Sequence, residues 1–197
     1  MTKSENELAL SKFQKSIKLI DNRYEIGLPW IDQITIMPNN YGLAKGRLNS
    51  LIKSHQTKNL EFLKKYHEII ANQLEQNIVE IVKNPWESTD TLIHYIPHQP
   101  VIRDQKSFTK IRVVYDASAR LNRSSPSLNS CLLKGPDLSS NLFGMLLRSR
   151  FSPILIISDV EKAFLQISII PNDRNCLRFL WVKKTASFLL FWMILLI

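Results

Sequence analysis

The sequence predicts an α+β fold, with helices first and then a small mixed, mainly antiparallel sheet accompanied by one helix. Three observations predict it. Apolar residues recur at helical spacing up to about residue 76, short apolar runs separated by turn residues follow Pro85-Trp86, and one more helical stripe lies within 139–150. With 45% hydrophobic and 22% charged residues over 197 positions, the composition is ordinary for a globular chain and excludes wholesale disorder.

Taken in order, Glu7 to Ile17 sets Leu10, Phe13 and Ile17 three and four apart, so a short helix packs one apolar stripe on the rest. Tyr24-Glu-Ile-Gly-Leu-Pro-Trp30 alternates in character and carries Gly27 and Pro29, which predicts an extended segment running into a loop. From Tyr41 to His55, Leu43, Leu48, Leu51 and Ile52 recur on one side. From Asn59 to Gln76, Leu63, Tyr66, Ile70 and Leu74 do the same, so two amphipathic helices meet at a polar turn over Gln56-Thr-Lys58. Such stripes signify core packing rather than a cofactor box, because one buried face is what stabilises an ordinary helix.

Five runs then read as strands: His94 to His98, Lys110 to Asp116, Ile154 to Asp159, Leu165 to Ile169 and Cys176 to Val182. Between them, Ser139 to Arg150 predicts a helix, with Ser139 as a capping residue, Leu142, Phe143, Leu146 and Leu147 on one face, and arginines in the last turn.

Charge is unevenly placed. Of the net +9, residues 1–90 supply 12 Lys+Arg against 11 Asp+Glu, while residues 91–197 supply 14 against 6. A local basic excess suits a phosphate-backbone partner, because each cation near a phosphate releases a counterion; a merely solvated basic face has the same composition. Cys131 and Cys176 have neither metal-site spacing nor the numbers of a disulfide framework, and the polar opening is unlike a signal peptide. These features predict an intracellular chain, cytoplasmic or nuclear. The apolar stretch Phe188 to Ile197 would span only about 15 Å as a helix, half a bilayer core, so no membrane partner is expected.

Little of the polar inventory falls into catalytic patterns. His94 and His98 stand four apart, but Pro97 and Pro100 oppose a helix, and along a strand the two lie about 13 Å apart, too far to share one ion. No Gly-x-Ser-x-Gly, phosphate loop or dinucleotide fingerprint occurs. Ile154 to Asp159 differs, because a continuous apolar strand that ends in one acid sets a carboxylate at a cleft edge while the strand stays buried. Alone, such an aspartate usually caps a turn.

Its neighbours add to it. Asp159-Val-Glu-Lys-Ala-Phe164 resembles the reverse-transcriptase palm motif Asp-hydrophobic-x-x-Ala-Phe/Tyr, which carries the first catalytic aspartate. Lys110-Ile-Arg-Val-Val-Tyr-Asp-Ala-Ser118 resembles the family's fingers hairpin. Ser127 to Pro136 and Asp173 to Trp181 are similar to the BEL/Pao retrotransposon branch, as are the lead-in segments Tyr24 to Trp30 and Asn40 to Leu48. The likeness runs over about residues 7 to 182 in family order. It implies a helical lead-in over 1–90, partial fingers and palm over 91–184, and an apolar tail over 185–197 foreign to the family.

The resemblance implies an RNA-directed DNA polymerase that adds dNTPs to a primer on an RNA or DNA template with two Mg²⁺ ions. Asp159 would be catalytic and bridge both ions, with the Val160 backbone carbonyl completing one shell. Arg112 and Lys110 would hold the nucleotide triphosphate, and the Phe164 ring would lie beneath the incoming sugar. Asp116 would order the hairpin or touch the templating nucleotide, and Gln166 would line the cleft.

After Lys184 the likeness stops. Neither the family's Phe-Gly segment nor its Tyr-x-Asp-Asp hairpin, with two more metal-binding carboxylates, follows in the sequence. One carboxylate holds Mg²⁺ weakly, so the resemblance implies a fragment that is inactive alone, with a non-catalytic nucleic-acid-binding remnant as the alternative. The unbroken apolar tail is the expected product of reading through a frameshift or an unspliced junction, and an aggregation hazard unless buried.

Overall fold

A computed structural model describes residues 3–32, 37–56, 60–83, 92–105, 108–160, 163–184 and 189–196. The fold is α+β: five α-helices and three small sheets among the described residues.

Helix α1 (Lys3–Ser16) leads into a tight hairpin of β1 (Lys18–Ile20) and β2 (Arg23–Ile26). Its two-residue turn, Asp21-Asn22, has φ of 48° and 62°, the left-handed pair that matches strand twist and that these short polar side chains tolerate. Strand β6 (Ile167–Ile169) adds to β2 in parallel, with Tyr24 opposite Ile167. The predicted extended segment after Tyr24 is therefore strand to Ile26 and loop beyond it.

Helices α2 (Tyr41–Gln56) and α3 (Leu60–Glu75) form as the stripes predict, while residues 57–59, most of the predicted turn, lie outside the described set. They bury Ala44, Leu48, Ile52, Phe62, Tyr66 and Ile70. The stripe on α3 is thus rotated slightly: Phe62 is buried, whereas Leu63 and Leu74 are only partly so. Against them lies β7 (Arg178–Lys184), contributing the buried Phe179, Leu180 and Trp181. Each large apolar side chain buried there contributes about 1.5–3 kcal/mol.

Strand β8 (Leu189–Leu196) lies between β3 (Val79–Ile81) and β7, antiparallel to both, from Lys184 opposite Leu189 to Val79 opposite Leu196. Residues 189–196 of the apolar tail are thus a strand paired with β7 over most of its length and with β3 over residues 194–196. The third sheet is the hairpin of β4 (His98–Gln105) and β5 (Phe108–Tyr115). A second, smaller core gathers Met37, Ile96, Leu128, Cys131 and Cys176 beneath a 3-10 turn, Leu128–Cys131, which Ser127 and Ser130 cap reciprocally.

Several expectations need correction. Residues 154–160 form no strand: they are irregular and exposed throughout, because a continuous apolar strand needs partners on its edges and faces and none lies beside it among the described residues. Helix α4 (Leu142–Ser149) begins later than predicted, capped by the Asn141 side chain accepting from Gly144 N at 3.1 Å, rather than by Ser139. It buries none of its residues, so it does not pack on a sheet. Residues 163–166 and 175–177 are 3-10 turns, which shortens the strands predicted from Leu165 and Cys176, and α5 (Pro171–Arg174) separates them. Of the predicted strand His94–His98, the part before β4 keeps among the described residues a single bridge, Tyr95 to Arg178.

Candidate functional site

Strand β5 carries two of the predicted nucleotide-contacting residues. Arg112 stands opposite Val101 and is exposed, and Lys110 stands opposite Arg103 in the same ladder. Directly after the strand, the Asp116 backbone N–H donates to Pro97 O at 2.8 Å and its carboxylate accepts from Ser118 N at 3.2 Å, which closes the turn leaving the hairpin. The other carboxylate oxygen accepts from Arg47 Nη1 on α2 at 2.5 Å. Both partners are partly exposed, so the ion pair is worth at most about 1 kcal/mol and serves as a positional tie between α2 and the hairpin.

Between α2 and β4 opens a pocket of about 520 Å³, lined by Gly42, Gly46, Arg47, Ser50, His98 and Gln99. A Cβ on Gly42 or Gly46 would meet nothing within 4 Å, so neither glycine is there for close packing. They leave one side of the helix bare beside Arg47.

The palm-like motif is arranged differently from its expectation. Asp159 and Val160 lie on the irregular, exposed segment, and Asp159 makes no hydrogen bond or ion pair among the described residues. Phe164, 92% exposed, stands at the rim of an apolar pocket of about 260 Å³ with Ile26, Ile78 and Leu165. Just past it the chain is anchored: the Arg23 guanidinium donates to Leu165 O at 3.0 Å, Gln166 O at 3.4 Å and Asn77 O at 2.8 Å. The Gln166 contribution there is its carbonyl, and the residue is exposed. Arg112 and Asp116 therefore share the hairpin, Phe164 and Gln166 share an anchored turn, and Asp159 stands on the unanchored stretch before it.

A Mg²⁺ ion prefers several hard oxygen ligands in near-octahedral array. Among the described residues no three His, Cys, Asp or Glu side chains gather, and Asp159 presents one exposed carboxylate. That donor set does not fit a held metal ion.

The histidines take structural partners. His98 Nδ1 and Tyr66 Oη are 2.6 Å apart and His98 Nε2 lies 2.9 Å from Leu180 O, so a neutral ring accepting from the tyrosine and donating to the carbonyl satisfies every group. Burial lowers the His98 value and raises those of Tyr66 and Tyr115, which keeps all three neutral. His94 bonds Pro38 O at 2.6 Å, and its value too is lowered by burial. Sequence reasoning set these histidines on a strand and excluded a shared ion, without placing them in the core; that place depends on α3 and β7, far away in the chain.

Asp173 is another buried polar group that sequence patterns did not single out. Its carboxylate accepts from Leu28 N at 2.7 Å and Trp30 Nε1 at 2.9 Å, fastening the loop after β2 to α5. No helix among the described residues is long and apolar enough to cross a membrane. No protein-family model matches the chain, and no curated protein or solved structure is detectably similar to it.

Proposed function

We propose that this chain is a fragment of an RNA-directed DNA polymerase of the BEL/Pao retrotransposon type, comprising fingers and the first part of the palm, and that alone it binds nucleic acid without extending a primer. The observation that carries the reading is the motif Asp159-Val-Glu-Lys-Ala-Phe164, which follows the cationic hairpin segment Lys110-Ile-Arg112 in the order the family uses. The basic excess of residues 91–197 supports a phosphate-bearing partner. Lys110 and Arg112 on β5 would meet the triphosphate of a dNTP, with Asp116 holding the turn beneath them.

Binding without turnover is favoured by a specific feature: Asp159 is a single exposed carboxylate on a segment that forms no strand. Mg²⁺ is the family's cofactor, and the donors among the described residues do not fit it. The test is a primer–template assay with dNTPs and Mg²⁺ alongside salt-dependent binding. The expected result is binding that weakens steeply with salt, weakens further in Arg112→Ala, and gives no extension product with or without Asp159→Asn. Absence of nucleic-acid binding at low salt would overturn the proposal. Extension abolished by Asp159→Asn would keep the family reading and overturn the inactivity.

A further inference from the structure

We propose that Ile154-Leu-Ile-Ile157 is a cleavage site for an endopeptidase specific for large apolar residues, and that the two halves remain one folded body after the cut. The proposal does not rest on the polymerase reading. An endopeptidase takes its substrate as an unpaired, extended chain: main-chain N–H and C=O groups pair with the cleft while alternate side chains enter its pockets. Most bonds of a folded chain fail on both counts, because their backbone is paired and their apolar side chains are buried, so cutting waits for local opening.

Residues 154–160 meet both needs without opening. The hydrogen-bonded turns that end α4 close at Ser152, whose N–H donates to Ser149 O at 3.3 Å. Past Pro153 the chain runs without turn or bend, and its backbone makes no hydrogen bond to other backbone groups among the described residues. Ile154, Leu155, Ile156 and Ile157 are 77%, 58%, 86% and 84% exposed, so successive apolar side chains are open to a cleft. Leu121 and Leu138 are also exposed on loops, but each stands alone among polar neighbours. The backbone beside them is tied as well, by Asn122 accepting from Ser124 N at 3.1 Å and by Asp137 accepting from Ser139 N at 2.9 Å. An enzyme that reads apolar residues at successive subsites therefore selects 154–157.

Cleavage at Leu155–Ile156 is a hydrolysis. Water supplies its oxygen to the Leu155 carbonyl carbon, the C–N bond breaks, and the Ile156 nitrogen takes the proton and leaves as an amine. The halves stay together because the contacts that join them lie outside the stretch. Strand β6 pairs with β2, Arg23 donates to Leu165 O and Gln166 O, and the Asp173 carboxylate accepts from Leu28 N and Trp30 Nε1. On β7, Arg178 N donates to His94 O at 3.2 Å and Arg178 O accepts from Ile96 N at 2.7 Å, while the buried Phe179, Leu180 and Trp181 belong to the core formed with α2 and α3. Cutting one bond of an unpaired stretch removes none of these contacts.

The test is limited proteolysis of the full chain at neutral pH with thermolysin, which cuts on the amino side of large apolar residues. Intact mass and N-terminal sequencing are expected to show a first cut that leaves a new N-terminus at Leu155, Ile156 or Ile157. Its rate should stay level in urea below the unfolding transition, because the native chain itself is the substrate. The nicked protein should elute from gel filtration as one species of the intact size, and part into two pieces only in denaturant. Combining Leu155→Asp with Ile156→Asp changes exposed side chains, so the circular dichroism spectrum should be unaltered while the first cut slows about tenfold or more. A first cut elsewhere, a rate that climbs with urea as stability falls, or pieces that separate without denaturant would overturn the proposal. So would a folded double variant cut between 154 and 157 as fast as the wild type.

Discussion

Acid should loosen this fold at its core before it affects the surface, and His98 is where the effect can be isolated. The ring sits between Tyr66 and the Leu180 carbonyl, among Phe179, Trp181 and Tyr115, and burial holds its value below the ordinary histidine range against the opposing hydrogen bond to Leu180. His94 is held down the same way against its bond to Pro38. In the unfolded chain both take up a proton near pH 6.5, so below that value the unfolded state binds more protons than the folded one. Stability is therefore complete above about pH 6.5 and is lost as the pH falls from there toward the lowered folded values, by at most about 2 kcal/mol per histidine at pH 5. Two such groups would remove a large share of the roughly 5–15 kcal/mol of a typical domain. Glutamine can accept from Tyr66 and donate to Leu180 without titrating, so His98→Gln should reduce the pH dependence across this window. Urea unfolding followed by tryptophan fluorescence, at pH values between about 7.5 and 5, measures it. A stability that is flat across that window, or a slope unchanged in His98→Gln, would refute the reasoning.

Two further outcomes are expected. Asp173→Ala leaves Leu28 N–H and Trp30 Nε1–H without their carboxylate and should cost about 2–3 kcal/mol in urea unfolding at neutral pH, and a loss under about 0.5 kcal/mol would contradict the clamp. Cys176, whose thiol is pushed up to about 12 chiefly by burial and then by Asp173, and the buried Cys131 should react with iodoacetamide near pH 8 only as fast as the chain unfolds. Rapid labelling of either in the native protein would count against that burial.

The helical half was legible because its signal is local. Stripes at helical spacing put Leu48, Ile52, Tyr66 and Ile70 on buried faces whatever they pack against, and each does become core. The hairpin of β4 and β5 was half legible: the run from Lys110 marks β5, while β4 was missed, because the predicted strand His94–His98 ends where β4 begins. Residues 154–157 are the failure. Their composition asks for a strand, but a strand is completed by neighbours in space, and among the described residues none is beside them. The same locality hid the candidate site's true partners: Arg47 meets Asp116, and Arg23 anchors Leu165 and Gln166, across separations no short motif records.

By itself, the sequence determined the α+β class, the amphipathic helices α2 and α3 and the basic second half, whereas its expected order of helices before strands did not hold, since β1 and β2 precede α2. Each of the features so determined rests on neighbours along the chain. Only the tertiary structure decided that residues 189–196 of the apolar tail become the middle strand of a sheet, that His94 and His98 belong to the core, and that Asp159 is exposed with no partner among the described residues. The physical reason is the same in each case: pairing along a strand edge, burial of a ring and assembly of a carboxylate cluster all depend on groups distant in sequence, and periodicity carries no record of which distant group arrives.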